Sequence, residues 1–133
     1  MDVKVLNTNA LAYMGDSVFE VYARKKVLEE GNPNVDVLHK HAIKYVHAEG
    51  QEAMLKGIEG ILTEEEESVV RRARNHKLAA SKKNSKKDVM TDKNATAFEA
   101  LVGYLYLKND KERLEYIISE SFRVIDGKEG EHE

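Results

Sequence analysis

The sequence has no cysteine, no tryptophan and a single proline, and only 7% of its 133 residues are aromatic. Without cysteine, a disulfide framework and a thiolate metal site are both excluded, and a reducing compartment is compatible with that composition. No apolar run approaches the ~18 uninterrupted residues of a membrane-crossing helix, and Met1-Asp2-Val3-Lys4 opens no apolar signal region. A soluble, cytoplasmic protein is therefore expected. Runs that alternate apolar and polar residues are also missing, so strands are not required. The length and a hydrophobic content of 41% suit one domain with one modest core.

A strong net charge is absent as well. The formal value is -3, which by itself does not suggest a nucleic-acid binder. The distribution does. Arg71, Arg72, Arg74, Lys77, Lys82, Lys83, Lys86 and Lys87 place 8 cationic residues in one stretch with no Asp or Glu among them. The remainder of the chain holds the other 13 cations against 24 acidic residues, a balance of -11. One basic strip on an acidic body fits a surface that tracks phosphates. A solvated loop that serves only solubility has the same composition.

Apolar spacing is helical almost throughout, giving an all-α expectation. A first helix starts after Asn7 or Thr8 and runs to about Glu30, with Leu11, Met14, Val18, Val21, Tyr22 and Leu28 as its buried stripe and Gly31 as its stop. Asn34 caps a second helix, and Gly50 introduces a bend before Ala53, Met54, Leu55 and Ile58. Thr63-Glu64-Glu65-Glu66 reads as a capping box whose acidic residues face the positive helix end, with Arg71, Arg72 and Arg74 near the other. Ala79 to Asn94 reads as a polar loop, and Asn94 as the cap of a helix through Phe98, Leu101, Val102 and Leu105. After a turn at Asn109-Asp110, a last helix ends at Gly127, leaving one folded domain over 1–126 and a charged flexible tail over 127–133.

Two glycines contradict ordinary helix design. Gly15 and Gly103 lie inside helices, each at a cost of about 1 kcal/mol relative to alanine, which points to close approach of a backbone or a ligand. A carboxylate accompanies each: Asp16 follows Gly15, and Glu99 precedes Gly103 by one turn. Both interrupt apolar surroundings, where an unpaired charge is costly to bury. A shared Mg²⁺, held by oxygen ligands from two helices and by water, relieves that cost and equips the pair to activate water against a phosphodiester. Salt bridges to Arg24 or Lys25 relieve it equally well.

Leu11-Ala12-Tyr13-Met14-Gly15-Asp16-Ser17-Val18 resembles the signature helix of ribonuclease III nucleases, and Ala95 to Leu107, with Phe98-Glu99, resembles the family's second catalytic helix. The resemblance spans about Leu11 to Phe122. With no double-stranded RNA-binding domain following, it points to the Mini-ribonuclease III branch. Glu64 to Glu67, then Arg72-Ala73-Arg74-Asn75 and Lys83-Asn84, resemble that branch's RNA-contacting segment.

The resemblance implies a metal-dependent endonuclease of double-stranded RNA, with Asp16 and Glu99 as catalytic metal ligands for Mg²⁺, or Mn²⁺ in its place. It further implies RNA contacts from Arg72, Arg74, Asn75, Lys77, Lys83 and Asn84, a symmetric homodimer, and a role in maturing 23S ribosomal RNA precursor ends. Two positions depart from full-length ribonuclease III. Ala12 stands where a glutamate is expected four residues before Asp16, and Thr96 replaces an aspartate three before Glu99. Glu20, one turn after Asp16, is a candidate to compensate or to form a surface salt bridge.

For the dimer, Tyr13, Met14 and Phe19 are the interface candidates, with the monomer core as their alternative. Any structural metal site among His39, His41 and His47 is disfavoured, since residues two apart point to different helix faces. A catalytically idle RNA-binding module is the alternative to the nuclease, and a helical protein adaptor ranks behind both.

Overall fold

The computed structural model describes residues 1–31, 34–76 and 86–130. Six α-helices form the body: α1 (Thr8–Glu29), α2 (Val35–Val46), α3 (Ala48–Ile58), α4 (Glu64–Asn75), α5 (Lys86–Leu107) and α6 (Lys111–Gly130). Short 3₁₀ turns occupy Val3–Val5 and Glu59–Ile61, and the described residues include no strand. The all-α expectation holds.

Local signals set most helix ends. The Asn7 side chain caps α1 by accepting from the Ala10 N–H at 2.8 Å. Gly31 leaves it in the left-handed region at φ 89°. Asn34 caps α2, and Thr63 and Glu66 complete the capping box of α4. The bend expected at Gly50 falls at His47, whose Nδ1 accepts from the Gly50 N–H at 3.0 Å to start α3. That bond assigns His47 a structural role. Asn109 turns the chain into α6 at φ 65°, a conformation asparagine tolerates.

Helices α1 and α5, each of 22 residues, make the most extensive contact in the molecule. Its tightest point is reciprocal: a Cβ on Gly15 would lie 1.7 Å from the Glu99 carbonyl oxygen, and one on Gly103 would lie 1.9 Å from that of Leu11. Only glycine at both positions permits that approach. Around the crossing, Phe19 stacks edge-on against Phe98 at 5.1 Å, and Phe122 bridges Phe19 and Tyr45 at 5.6 and 4.9 Å.

Four expectations are corrected. The buried face of α1 runs through Leu11, Gly15, Phe19, Ala23 and Val27, while Val21 and Leu28 face outward, because the α5 contact centres on Gly15. Phe19 is completely buried and Met14 packs on the core, so of the three interface candidates only Tyr13, at 80% exposure, faces solvent. Next, α5 begins at Lys86, so 86–94 is helical where a loop was expected, and Asn94 sits inside the helix. Its polar face there is satisfied by side chains of α3 and α4. Helix α6 likewise continues past Gly127 to Gly130.

The reciprocal contact makes a clear prediction. Gly15→Ala is expected to destabilise the fold by about 3 kcal/mol, since it forces rigid backbone apart. Urea unfolding checks it, and Gly60→Ala, where a Cβ would meet nothing within 4 Å, is the neutral control.

Candidate active site

The glycine crossing fixes where the two carboxylates meet. Asp16 follows the residue that sits against the Glu99 carbonyl, so both acids emerge at the same level of the α1–α5 contact and their side chains hydrogen-bond. Asp16 is exposed, whereas Glu99 is largely withdrawn from solvent. Burial, followed by the hydrogen bond and repulsion of Asp16, raises the Glu99 pKa to about 8; a hydrogen bond from the Gln51 side chain opposes the shift. Glu99 therefore keeps its proton at neutral pH and donates it to Asp16.

Among the described residues, the salt bridges that would make this pair ordinary are absent. Arg24 binds Glu20 at 3.0 Å and Lys25 lies 4.0 Å from Glu29, so neither neutralises Asp16 or Glu99. Glu20 is thereby occupied with Arg24. Ala12 and Thr96 leave the turns before Asp16 and Glu99 without charge, and no third His, Asp or Glu joins the pair among the described residues. Two converging oxygen donors, one open to solvent and the other protonated for want of a cation, fit a hard divalent ion that retains most of its waters.

Helix α4 carries the cationic residues expected to meet RNA. Arg71, Arg72 and Asn75 are exposed near its C-terminal end, and Arg71 and Arg72 have no ion pair among the described residues. Arg74 differs: its Nε donates to Asn94 Oδ1 at 2.8 Å and its Nη2 contacts Glu59. Lys77, Lys83 and Asn84 lie outside the described residues. The opposite end of α4 is anchored by Glu66, only 3% exposed, which receives two bonds from Arg113 at 2.8 and 2.7 Å.

Residues 9–110 match the Ribonuclease III domain family. The chain belongs to that family. Its relatives include a Mini-ribonuclease 3 of Enterococcus faecalis, 46% identical, with 89% of each chain covered. A Mini-ribonuclease 3 of Thermoanaerobacter is 42% identical over 91% of this chain and 84% of its own. A crystal structure of a Fusobacterium nucleatum protein superposes with a TM-score of 0.78 at 33% identity, covering 96% of this chain and 98% of that one. These similarities identify the Mini-ribonuclease 3 branch.

Two residues of this ribonuclease III domain were not foreseen. Gln51, 3% exposed, directs its side chain from α3 to Glu99, and the adjacent Glu52 binds Thr91 and Asn94 of α5. The available signal was the polar pair Gln51-Glu52 directly after Gly50, just before the apolar Ala53, Met54 and Leu55.

Glu99 also sets a pH dependence of stability. Its folded pKa lies above its unfolded value, so the folded state binds the extra proton between about pH 4.5 and 8, and stability contributed by the neutral acid is lost as pH rises through 8. Glu99→Gln, which stays neutral, is expected to flatten that decline and to melt several degrees above wild type at pH 9 in chelator. Thermal melts at pH 5, 7 and 9 measure both effects.

Proposed function

We propose that this ribonuclease III-type endoribonuclease hydrolyses double-stranded RNA at the Asp16–Glu99 pair, with Mg²⁺, or Mn²⁺ in its place, as cofactor. The observation that carries the reading is the convergence of two carboxylates, free of any cationic partner among the described residues, at a crossing built from two glycines. Asp16 and Glu99 would hold the ion, which when bound supplies an acidified water and neutralises charge at the phosphate. The Glu99 proton would pass to solvent as the site becomes competent, and the Gln51 side chain would orient the resulting carboxylate. Water forms the new bond to phosphorus as the bond to the 3′ oxygen breaks; the attacking water gives up a proton to solvent and the departing oxygen takes one from solvent, leaving 5′-phosphate and 3′-hydroxyl ends.

Duplex RNA is recognised by shape and backbone, since the A-form major groove is too deep and narrow for side chains. Arg72, Asn75, Lys77, Lys83 and Asn84 are assigned to phosphates and sugars, with Arg71 beside them. Structured precursor RNA, including the ends of the 23S ribosomal RNA precursor, is the inferred cytoplasmic substrate. A homodimer suits the two strands of a duplex. Tyr13, Val21 and Leu28, at 80, 66 and 59% exposure, lie along one outward side of α1 and supply an apolar patch for a two-fold interface.

Cleavage of an end-labelled duplex with Mg²⁺ tests the activity. Asp16→Asn and Glu99→Gln are each expected to lower the rate at least ~100-fold, as loss of a ligand for catalytic charge stabilisation does. Duplex binding should be retained. A wild type that binds without cutting would favour the idle RNA-binding module, to which Ala12 and Thr96 give some substance. For assembly, Tyr13→Arg is expected to shift the dimer to monomer in light scattering while helicity is kept.

A further inference from the structure

Arg74 stands at the cationic end of α4, yet its guanidinium is committed within the fold. Its side chain is 32% exposed and lies between Glu59 and Asn94. The Asn94 amide, 5% exposed, donates onward to Glu52 Oε2 at 2.6 Å. The Thr91 hydroxyl shares its proton between Glu52 Oε1 at 3.1 Å and the Lys87 carbonyl at 3.0 Å. Glu52 lies 3.9 Å from Lys56. The Arg74 guanidinium is thus matched by the Glu59 carboxylate, while Glu52 faces the charges of Lys56 and Lys87.

Burying Asn94 and Thr91 in a long helix is costly unless each finds a partner. Here they find one another's partners across three helices. Arg74 comes from α4, Asn94 and Thr91 from α5, and Glu52 from α3, next to Gln51, which binds Glu99. A planar guanidinium with two fixed acceptors sets direction as well as distance. Through these bonds the end of α4 that displays Arg71, Arg72 and Asn75 is tied to α5, which carries Glu99, and to α3, which carries Gln51.

We propose that Arg74 is a positioning residue, clamped by Asn94 and Glu59, which holds the cationic end of α4 in register with the Asp16–Glu99 pair and makes no phosphate contact itself. The proposal rests on the double-stranded RNA reading above. A direct phosphate ligand and a positioning residue differ in one measurable property: neutralising a ligand removes one released counterion and flattens the salt dependence of binding, whereas loosening a clamp weakens binding at unchanged slope.

The experiment is fluorescence anisotropy of a labelled RNA duplex in chelator, over a salt series, at a temperature where circular dichroism shows every variant folded. Arg72→Gln is expected to flatten the slope by about one. Arg74→Gln is expected to weaken binding roughly tenfold without flattening it. Asn94→Leu, which removes no charge, should match that loss, and the double variant should be no worse than either single one. Arg74→Lys, which keeps the charge but not the fork, should be as weak as Arg74→Gln, and it carries the test if Asn94→Leu does not fold. A slope flattened by about one in Arg74→Gln, recovery in Arg74→Lys, or unchanged affinity in all folded variants would overturn the clamp. Failure of the wild type to bind duplex would instead overturn the RNA reading, and the clamp with it.

Discussion

Everything that positions the site follows from the contact of two helix backbones without side chains between them. At the crossing of α1 and α5, Gly15 meets the carbonyl of Glu99 and Gly103 meets that of Leu11, each closer than a Cβ allows. The aromatic cluster of Phe19, Phe98 and Phe122 forms beside this crossing. Asp16 and Glu99 are brought together because they are covalent neighbours of the contact points. The burial of Glu99 that this arrangement imposes, followed by the hydrogen bond and repulsion of Asp16, raises its pKa.

Charge is handled differently away from the crossing. Arg113 satisfies Glu66 with two bonds and also donates to the Ile61 carbonyl at 2.7 Å, fastening the start of α4 to α6. Lys26 pairs with Asp126 at 2.9 Å while Tyr45 donates to the same carboxylate at 2.6 Å. Such pairs are structural because the acid of each, Glu66 or Asp126, has both an opposite charge and a further hydrogen bond. By this standard the site stands apart: Asp16 and Glu99 have each other, a glutamine and no cation among the described residues. The exposed Arg71 and Arg72 are the converse, cations with no anion among the described residues.

Much of this was legible in the sequence because it is encoded locally. The caps at Asn7, Asn34 and Thr63 and the stops at Gly31 and Asn109 are short-range chemistry. The misplaced glycines signalled a close approach, and the adjoining carboxylates supplied the candidate pair. What sequence spacing could not supply was the identity of the partner surface. Val21 and Leu28 fit an apolar stripe but lie outside it, since the neighbouring helix selects one face among several apolar ones. The stretch from Lys86 to Asn94 looked like a loop because its inward residues are polar, and only Glu52 and Arg74, distant in sequence, make a buried asparagine tolerable there. Gln51 follows the same rule: its polarity shows in the sequence, but its partner Glu99, distant along the chain, does not.

The reciprocal glycine contact also separates two properties that are usually entangled in a catalytic centre. In a site assembled by ligand charges gathered around an ion, deleting a carboxylate alters the shape of what remains. Here the stagger of the two helices is set by carbonyl oxygens resting in the recesses that two missing methyl groups leave. The positions of Ala12 and Thr96 can therefore be acidic or neutral while Asp16 and Glu99 keep their spacing. The frame is a mechanical gauge, and the number of acids mounted on it is a variable that the chain is free to change.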